Sequence, residues 1–555
     1  MRILFLGRRY LYFRNFESVI RELAARGHHI HLAVERDDTE GRPALVDELT
    51  GAFPNITCGY APSRTDDDWN WIASRLRLGL DYLRYQHPLF DGAPKLRDRA
   101  RERTPGVFVD VGDGIRRFAR WARLPMSAFL RRIEAAVPDD PAIRAFVETQ
   151  RPDVVLITPL IDLGSSQIDY LRAARSLGIP TALCVWSWDH LSSKALVREC
   201  PDRVFVWNET QKREAVELHG VAAERVVVTG AQCFDQWFDR RPSRDRDTFC
   251  RLMGLPGGRP YILYVCSALF LGSPPEAPFV LDWIRRVRAS ASPELRAMPI
   301  LVRPHPSRTR EWDDVDVASF GDVVVRGGSP VDAASRADYF DALHHSAAVV
   351  GLNTSAFIEA GIVGRPVHTI LLPELHENQM GTLHFRYLLD AGGGLLEVAH
   401  DFDEHLRQLA ESVTRRPNGV RPFVRTFVRP HGLDVAATPL FVRSVEEMQG
   451  HHVRVPKADW AIPLSRRCLA GLVRLRNERR MERWVYSTRE LEVIVRNRHS
   501  RAGKARRDAE RRAVREAAKQ ARRAARELEL ARHRQTRAAH DAQKKAQKNA
   551  LRRAQ

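Results

Sequence analysis

The sequence predicts an α/β protein of two Rossmann-like domains, each a parallel sheet wrapped by helices. Three observations carry this reading. Short β-branched runs alternate with helical patterns through two long stretches, a polar segment separates the stretches, and 555 residues exceed what one ordinary core holds. Hydrophobic residues make up 44% of the chain and charged residues 28%, the balance of a globular protein. No apolar run approaches the roughly 20 residues that span a bilayer. The apolar opening Arg2–Gly7 is too short for a signal peptide and reads as a strand. Seven cysteines are scattered without a CxxC pair, which suits reduced buried thiols and a cytoplasmic location.

The first βαβ unit is the clearest. Arg2–Leu6 is a strand and Gly7–Asn15 a loop. Phe16, Val19, Ile20 and Leu23 then recur at helical spacing, with Asn15 as N-cap and Gly27 past the end, before a strand at His29–Glu35. From about Tyr60 to Gln150 the alternation is lost. Trp- and Arg-rich segments such as Trp69–Tyr85 and Ile115–Ala136 predict a helical insertion, placed where an acceptor or partner can be gripped. Strands return at Val154–Thr158, Thr181–Trp186, Arg203–Trp207 and Arg225–Thr229.

Arg240–Asp247 is the expected linker. The second series has strands at Tyr261–Cys266, Ile300–Val302, Val323–Val325, Ala348–Leu352 and Val367–Leu372, then one near Leu396 and a helix at Glu404–Val413. The expected domains are therefore one Rossmann-like domain at 1–239 and a second at 240–450. An amphipathic helical extension at 451–500 and a basic tail at 501–555, helical or disordered, follow. A cleft between two such domains is a common ligand site.

The net charge of +19 belongs mostly to that tail. Residues 501–555 hold 19 Lys or Arg against 6 Asp or Glu, so they carry +13 of it. They contain almost no large apolar residues and cannot build a core. Contact with anionic lipid or an acidic polymer through charge is open to them. Sequence-specific nucleic-acid binding has no motif or aromatic platform to support it. In the extension, Leu464, Cys468, Leu472 and Leu475 recur at helical spacing among arginines. This stripe suits either docking on the first domain or peripheral contact with the inner face of a membrane through 460–555.

The segment richest in chemistry is Val349–Val367. A strand stops at Asn353-Thr354-Ser355, a helix begins there, and Glu359 follows one turn later. A helix start offers free N–H groups to an anion, and an acid one turn in can accept from ribose hydroxyls; capping and a solvated acid are the plainer alternatives. Gly364, Pro366, Pro373, Glu377, Asn378 and Gln379 come next, then His384. Together these residues resemble the second domain of GT-B glycosyltransferases. The resemblance implies that the polar turn binds the donor diphosphate, that Glu359 binds the ribose, and that Glu377, Asn378 and Gln379 contact the transferred sugar. It also implies a nucleotide-activated donor as substrate, no bound cofactor and no metal.

Arg303-Pro-His-Pro306 ends a buried strand and sets Arg303 and His305 at its edge, where Arg suits phosphate. Similar His-Pro turns occur in CDP-glycerol glycerophosphotransferases. Ser267, after its own strand, is a further phosphate candidate. In the first domain, Trp186–Lys194 partly resembles the Trp-His-Gly-Thr loop of that family, without the Gly-Thr. Asp189 and His190 are the candidates for deprotonating an acceptor hydroxyl, because either can sit near neutral pKa when suitably placed. Gly230–Asp235 resembles the same family's Gly-x-x-x-x-Asp turn and reads as architectural. Arg8 and Arg9 follow the first strand, where phosphate or an anionic acceptor is one use for them.

No GxGxxG, P-loop or zinc pattern is present. The expected activity is sugar transfer from a nucleotide donor to a cell-surface polysaccharide or glycolipid acceptor. Its rivals are CDP-polyol phosphate transfer, a nucleotide-sugar 2-epimerase, and an inactive scaffold binding a membrane or anionic polymer.

Overall fold

A computed structural model describes residues 1–36, 38, 43–270, 272–414, 420, 422–451, 453, 462–473, 478–499, 510–527 and 530. The first sheet contains β1 (Arg2–Gly7), β2 (His29–Val34), β3 (Ile56–Tyr60), β4 (Val154–Thr158), β5 (Thr181–Cys184), β6 (Arg203–Val206) and β7 (Val226–Val228). All seven strands are parallel, in the order β3-β2-β1-β4-β5-β6-β7. Every residue of β4 is buried, as expected where helices cover both faces of a parallel sheet.

The second sheet holds β8 (Ile262–Val265), β9 (Ile300–Arg303), β10 (Val323–Val325), β11 (Ala348–Gly351), β12 (Val367–Ile370) and β13 (Leu396–Ala399). They run parallel in the order β10-β9-β8-β11-β12-β13. Both sheets thus reverse direction beside their first strand. Ligands of open α/β sheets bind at the carboxyl ends of the strands at that reversal, here beside β1 and β4 in one domain and β8 and β11 in the other.

The segment after β1 differs from the expected loop. Tyr10–Phe16 is a 3-10 helix that buries Tyr10, Phe13 and Phe16. The following α-helix, Glu17–Ala25, is preceded by Phe16 rather than by a capping Asn15 side chain. Phe5 meets Phe13 and Phe16 edge-on, each 5.2 Å between centroids. The segment is apolar enough to fold down onto the strand instead of standing free.

The insertion is helical, in pieces. Asp68–Arg84 is capped by Asp67, whose carboxylate accepts from the Asn70 amide at 2.7 Å. The segment expected as Ile115–Ala136 is two helices, Gly106–Phe118 and Arg123–Glu134, joined by a short 3-10 turn. Ala119 leaves the helical conformation, with φ −151° and ψ 54°. Pro125 has no N–H for an i→i−4 bond, so it fits only the first turn of a new helix.

Buried charge fixes the insertion to the sheet. Arg77, 1% exposed, forms a bidentate pair with Asp169 at 2.7 and 2.9 Å, and its Nε donates to Glu134 at 2.8 Å. Asp81 likewise holds Arg198 at 2.7 Å.

The chain after the second sheet returns to the first. In helix Ala437–Glu446, Phe441, Val442 and Val445 are buried in the core over β1 and β6. Phe441 lies 4.8 Å from Phe205 and 6.0 Å from Phe16, centroid to centroid. Asp235 anchors this crossing. Its carboxylate accepts from the Ala437 and Thr438 amides, at 3.0 and 2.7 Å, and pairs with Arg429. Gly230, at φ +91°, lies where a Cβ would come within 2.7 Å of the Ala437 methyl. Only glycine fits that conformation and that approach.

In the extension, helix Ile462–Val473 buries Leu469 against the insertion, while Leu464 and Cys468 are exposed. Of the expected stripe, Leu464 and Cys468 face outward; the Leu472 side chain and Leu475 lie outside the described residues. Residues 510–527 are helical and exposed throughout; the rest of the tail, apart from 530, lies outside them. No described helix is long and apolar enough to cross a membrane.

Candidate functional site

The turn after β11 sits at the reversal point of the second sheet. Its Asn353 amide donates to the Ser267 hydroxyl at 3.0 Å, bridging the ends of β8 and β11. Ser267 is fully buried, and its own amide donates to Glu276 at 2.7 Å. The Ser267 hydroxyl is thus engaged by the turn inside the fold. Thr354 is half-buried and Ser355 exposed. Their amides donate to nothing among the described residues, and helix Ala356–Ile362 follows.

On one side of the turn, Asn353 reaches toward the first domain. Its Nδ2 donates to the Asn378 carbonyl at 2.6 Å and lies 3.5 Å from His384 Nε2. Trp188, from the loop after β5, meets His384 edge-on with 4.7 Å between centroids. Asp189, next in that loop, accepts from Ser187 at 2.5 Å and Ser193 at 2.6 Å, and lies 3.3 Å from Lys194 Nζ. Burial works to raise the Asp189 pKa, but Lys194, His384 and the two hydroxyls outweigh it and hold the group below the usual carboxylate range.

His190 is fully buried beside the Pro159 backbone. Burial takes its pKa down to about 3. Neither group is placed to sit near neutral: Asp189 is held ionised chiefly by a lysine, and His190 is held neutral by burial. His384 is lowered to about 4, again chiefly by burial.

On the other side of the turn, Glu359 is half-buried and accepts a hydrogen bond from the Tyr339 hydroxyl. Burial raises its pKa to about 7, against the lowering effects of Tyr339 and of Arg14 from the first domain. Arg303, 6% exposed, stacks over Tyr339 at 5.2 Å and donates to the Gly328 carbonyl at 3.3 Å. The Arg303 side chain is thus directed at the partner of Glu359 and lies beneath the surface.

The remaining predicted residues are divided. Glu377 is exposed and pairs at 3.1 Å with Lys95 of the insertion. Asn378 accepts from the Phe270 amide at 2.9 Å and exchanges hydrogen bonds with Ser273, tying down the loop after β8. Gln379 is fully buried; its amide donates to the Leu352 and Ile370 carbonyls and to Thr369. His305 engages Ser307 within its own turn at 2.8 Å. Gln379 is sealed from a sugar by burial, while Asn378 and His305 hold these internal bonds. Arg8 is paired with Asp162 and closes its loop.

Sequence reasoning did not assign Lys194, Tyr339 or Arg14. Lys194 ended a polar segment that was already singled out. Tyr339 lies inside an ordinary helix and Arg14 inside an aromatic run, so neither carries a local signal. Among the described residues, no three His, Cys, Asp or Glu side chains cluster as metal ligands. A surface hollow lined by Arg2, His29, His31 and Thr57 lies at the opposite edge of the first sheet, at the amino ends of β1–β3.

Two doubly wound sheets of this order, joined by a helix that returns to the first, form the GT-B architecture. No family model and no curated protein matches the chain. Among solved structures, the chain is similar to UDP-GlcNAc 2-epimerase from Methanocaldococcus jannaschii, at 12% identity and TM-score 0.47, over 80% of this chain and 100% of that one. It is also similar to WaaG, a glycosyltransferase involved in lipopolysaccharide biosynthesis, at 10% identity and TM-score 0.40, over 81% and 100%. Anabaena Alr3699/HepE in complex with UDP gives 10% and 0.41, over 85% and 100%. The sheet orders, rather than these distant likenesses, establish the architecture.

Proposed function

We propose that the chain is a glycosyltransferase that moves a sugar from a nucleotide-activated donor to a cell-surface polysaccharide or glycolipid acceptor. The observation that supports this best is the placement of the β11 turn. It has a cation–carboxylate pair from the other domain on one side and a half-buried acid on the other.

The donor diphosphate fits the turn, where the Thr354 and Ser355 amides and the Lys194 ammonium offer positive charge. These groups then stabilise the departing diphosphate, and the transfer in this reading uses no metal. Glu359, one turn into the helix, accepts from the ribose hydroxyls. Asp189 is the base. Lys194 holds it ionised and weakly basic. A diphosphate that draws Lys194 away removes the largest lowering influence and leaves burial to raise the pKa. Donor binding therefore prepares the base for the acceptor hydroxyl.

Thermal unfolding against UDP, GDP, CDP, ADP and dTDP tests the reading. A ligand at about 100 times its Kd adds roughly 2.7 kcal/mol to the folded state. A selective shift with UDP, GDP, ADP or dTDP supports sugar transfer. A shift with CDP alone replaces it with polyol-phosphate transfer, and no shift with any of the five overturns the donor site. Interconversion at C2 of the bound sugar, with no acceptor consumed, replaces transfer by epimerisation.

A further inference from the structure

The insertion carries an apolar surface that its own fold leaves uncovered. Phe118 is 78% exposed, Trp121 79%, Leu124 65% and Phe129 57%. They follow one another through the end of helix Gly106–Phe118, the 3-10 turn Arg120–Ala122 and helix Arg123–Glu134. In that last helix Leu124, Ala128, Phe129 and Arg132 are exposed while Leu130 and Glu134 are buried. The outward face is thus as apolar as the inward one, the reverse of a helix that merely covers a core. Exposed aromatic groups gathered in this way mark a contact surface.

The chemistry of the partner follows from what surrounds them. Between positions 114 and 133 there are six arginines and no Asp or Glu. Asp91 offsets part of this charge, pairing with Arg116 and Arg120 at 3.0 Å each, and Arg131 turns inward, donating to the Val197 and Arg198 carbonyls. Arg117 lies over the Phe118 ring at 5.1 Å, so charge and apolar surface are interleaved. Apart from the arginines and the Trp121 indole, Ser127 is the one polar side chain of the segment. A protein interface of ordinary size makes about one hydrogen bond per 100–200 Å², with donors and acceptors on both sides; this face offers cationic donors but, besides Ser127, no side-chain acceptor. A bilayer asks for no such matching. Its anionic headgroups meet the arginines, and the hydrocarbon boundary about 5–10 Å below accepts Trp, Phe and Leu.

We propose that residues 118–129 dock the protein on an anionic phospholipid surface. The site lies in the first domain and does not depend on the sugar-transfer reading. Docking presents the insertion, whose Lys95 reaches the cleft loop at Glu377, to molecules held in the membrane.

The test uses the full chain with vesicles of phosphatidylglycerol and phosphatidylcholine, read by co-sedimentation and by hydrogen exchange of the bound protein. The expected result is binding to the anionic vesicles with slowed exchange across 114–133. A fourfold variant, Phe118→Ser, Trp121→Ser, Leu124→Ser and Phe129→Ser, should lose at least tenfold in vesicle affinity. All four positions are exposed, so the melting temperature should be kept, and the exchange map of wild-type protein stands whether or not the variant folds. Three results overturn the proposal: slowed exchange confined to 501–555, unchanged affinity in the folded variant, or no vesicle binding by a chain that buries 118–129 in a dimer.

Discussion

Lys194 lies 3.3 Å from the Asp189 carboxylate on the loop that the first sheet presents to His384 and Asn353. An acid so paired is ionised well below neutral pH, and the lysine is the largest influence holding it there. Two substitutions separate its roles. Asp189→Asn should lower kcat by about 10²- to 10⁴-fold, the usual worth of a general base, with nucleotide affinity little changed. Lys194→Met removes the cation, so the acidic limb of the pH–rate profile should move upward while nucleotide affinity falls. A pH–rate profile that does not move in Lys194→Met would sink the base assignment.

Glu359 gives a pH dependence of binding. Its carboxylate form accepts from hydroxyls, and burial places its pKa at about 7. Nucleotide affinity should therefore rise with pH, by roughly tenfold between pH 6 and pH 8 as the ionised fraction grows. Glu359→Gln should bind more weakly and lose the pH dependence; calorimetric titration at three pH values checks both. In the empty protein the native state holds this proton more tightly than the unfolded chain does. Its contribution is thus present below about pH 4.5 and lost as pH rises toward 7.

Asp235 should prove structural. It accepts from two amides and one hydroxyl of the returning helix and pairs with Arg429, all buried. Asp235→Ala leaves the arginine and the amides without their acceptor, a loss of about 3–5 kcal/mol. Urea denaturation should show it, and nucleotide selectivity in the surviving fold should not change.

Arg77→Met should destabilise the insertion by about the lower part of that same range. Asp169 keeps Arg64 and Glu134 keeps Arg172 when Arg77 is gone. Arg77→Met with Asp169→Leu should cost less than the sum of the single changes, because the two charges are coupled. Double-mutant denaturation measures the difference.

The sheets were legible because their evidence is local. A parallel strand covered on both faces must be a short apolar run, and β4, β6, β8 and β11 stand out for that reason. The segment from Val349 to Val367 was legible too, since a strand, a polar turn and a helix follow one another within a few residues. The 3-10 helix at Tyr10–Phe16 was not, because its aromatic residues fold onto Phe5 by packing rather than by any periodicity of their own.

Chemistry at the site divides along the same line. Residue type and spacing singled out Asp189, His190, Ser267, Asn378 and Gln379, whereas burial decided their state. The tertiary fold put a lysine beside Asp189, sealed His190 and Gln379, and occupied Ser267 and Asn378 with backbone amides. It also brought Tyr339 and Arg14, 325 positions apart in sequence, to the same carboxylate. Type and local spacing are written in neighbouring residues. A pKa or a free hydrogen-bonding group depends on which distant atoms exclude water from it, and only the folded chain sets that.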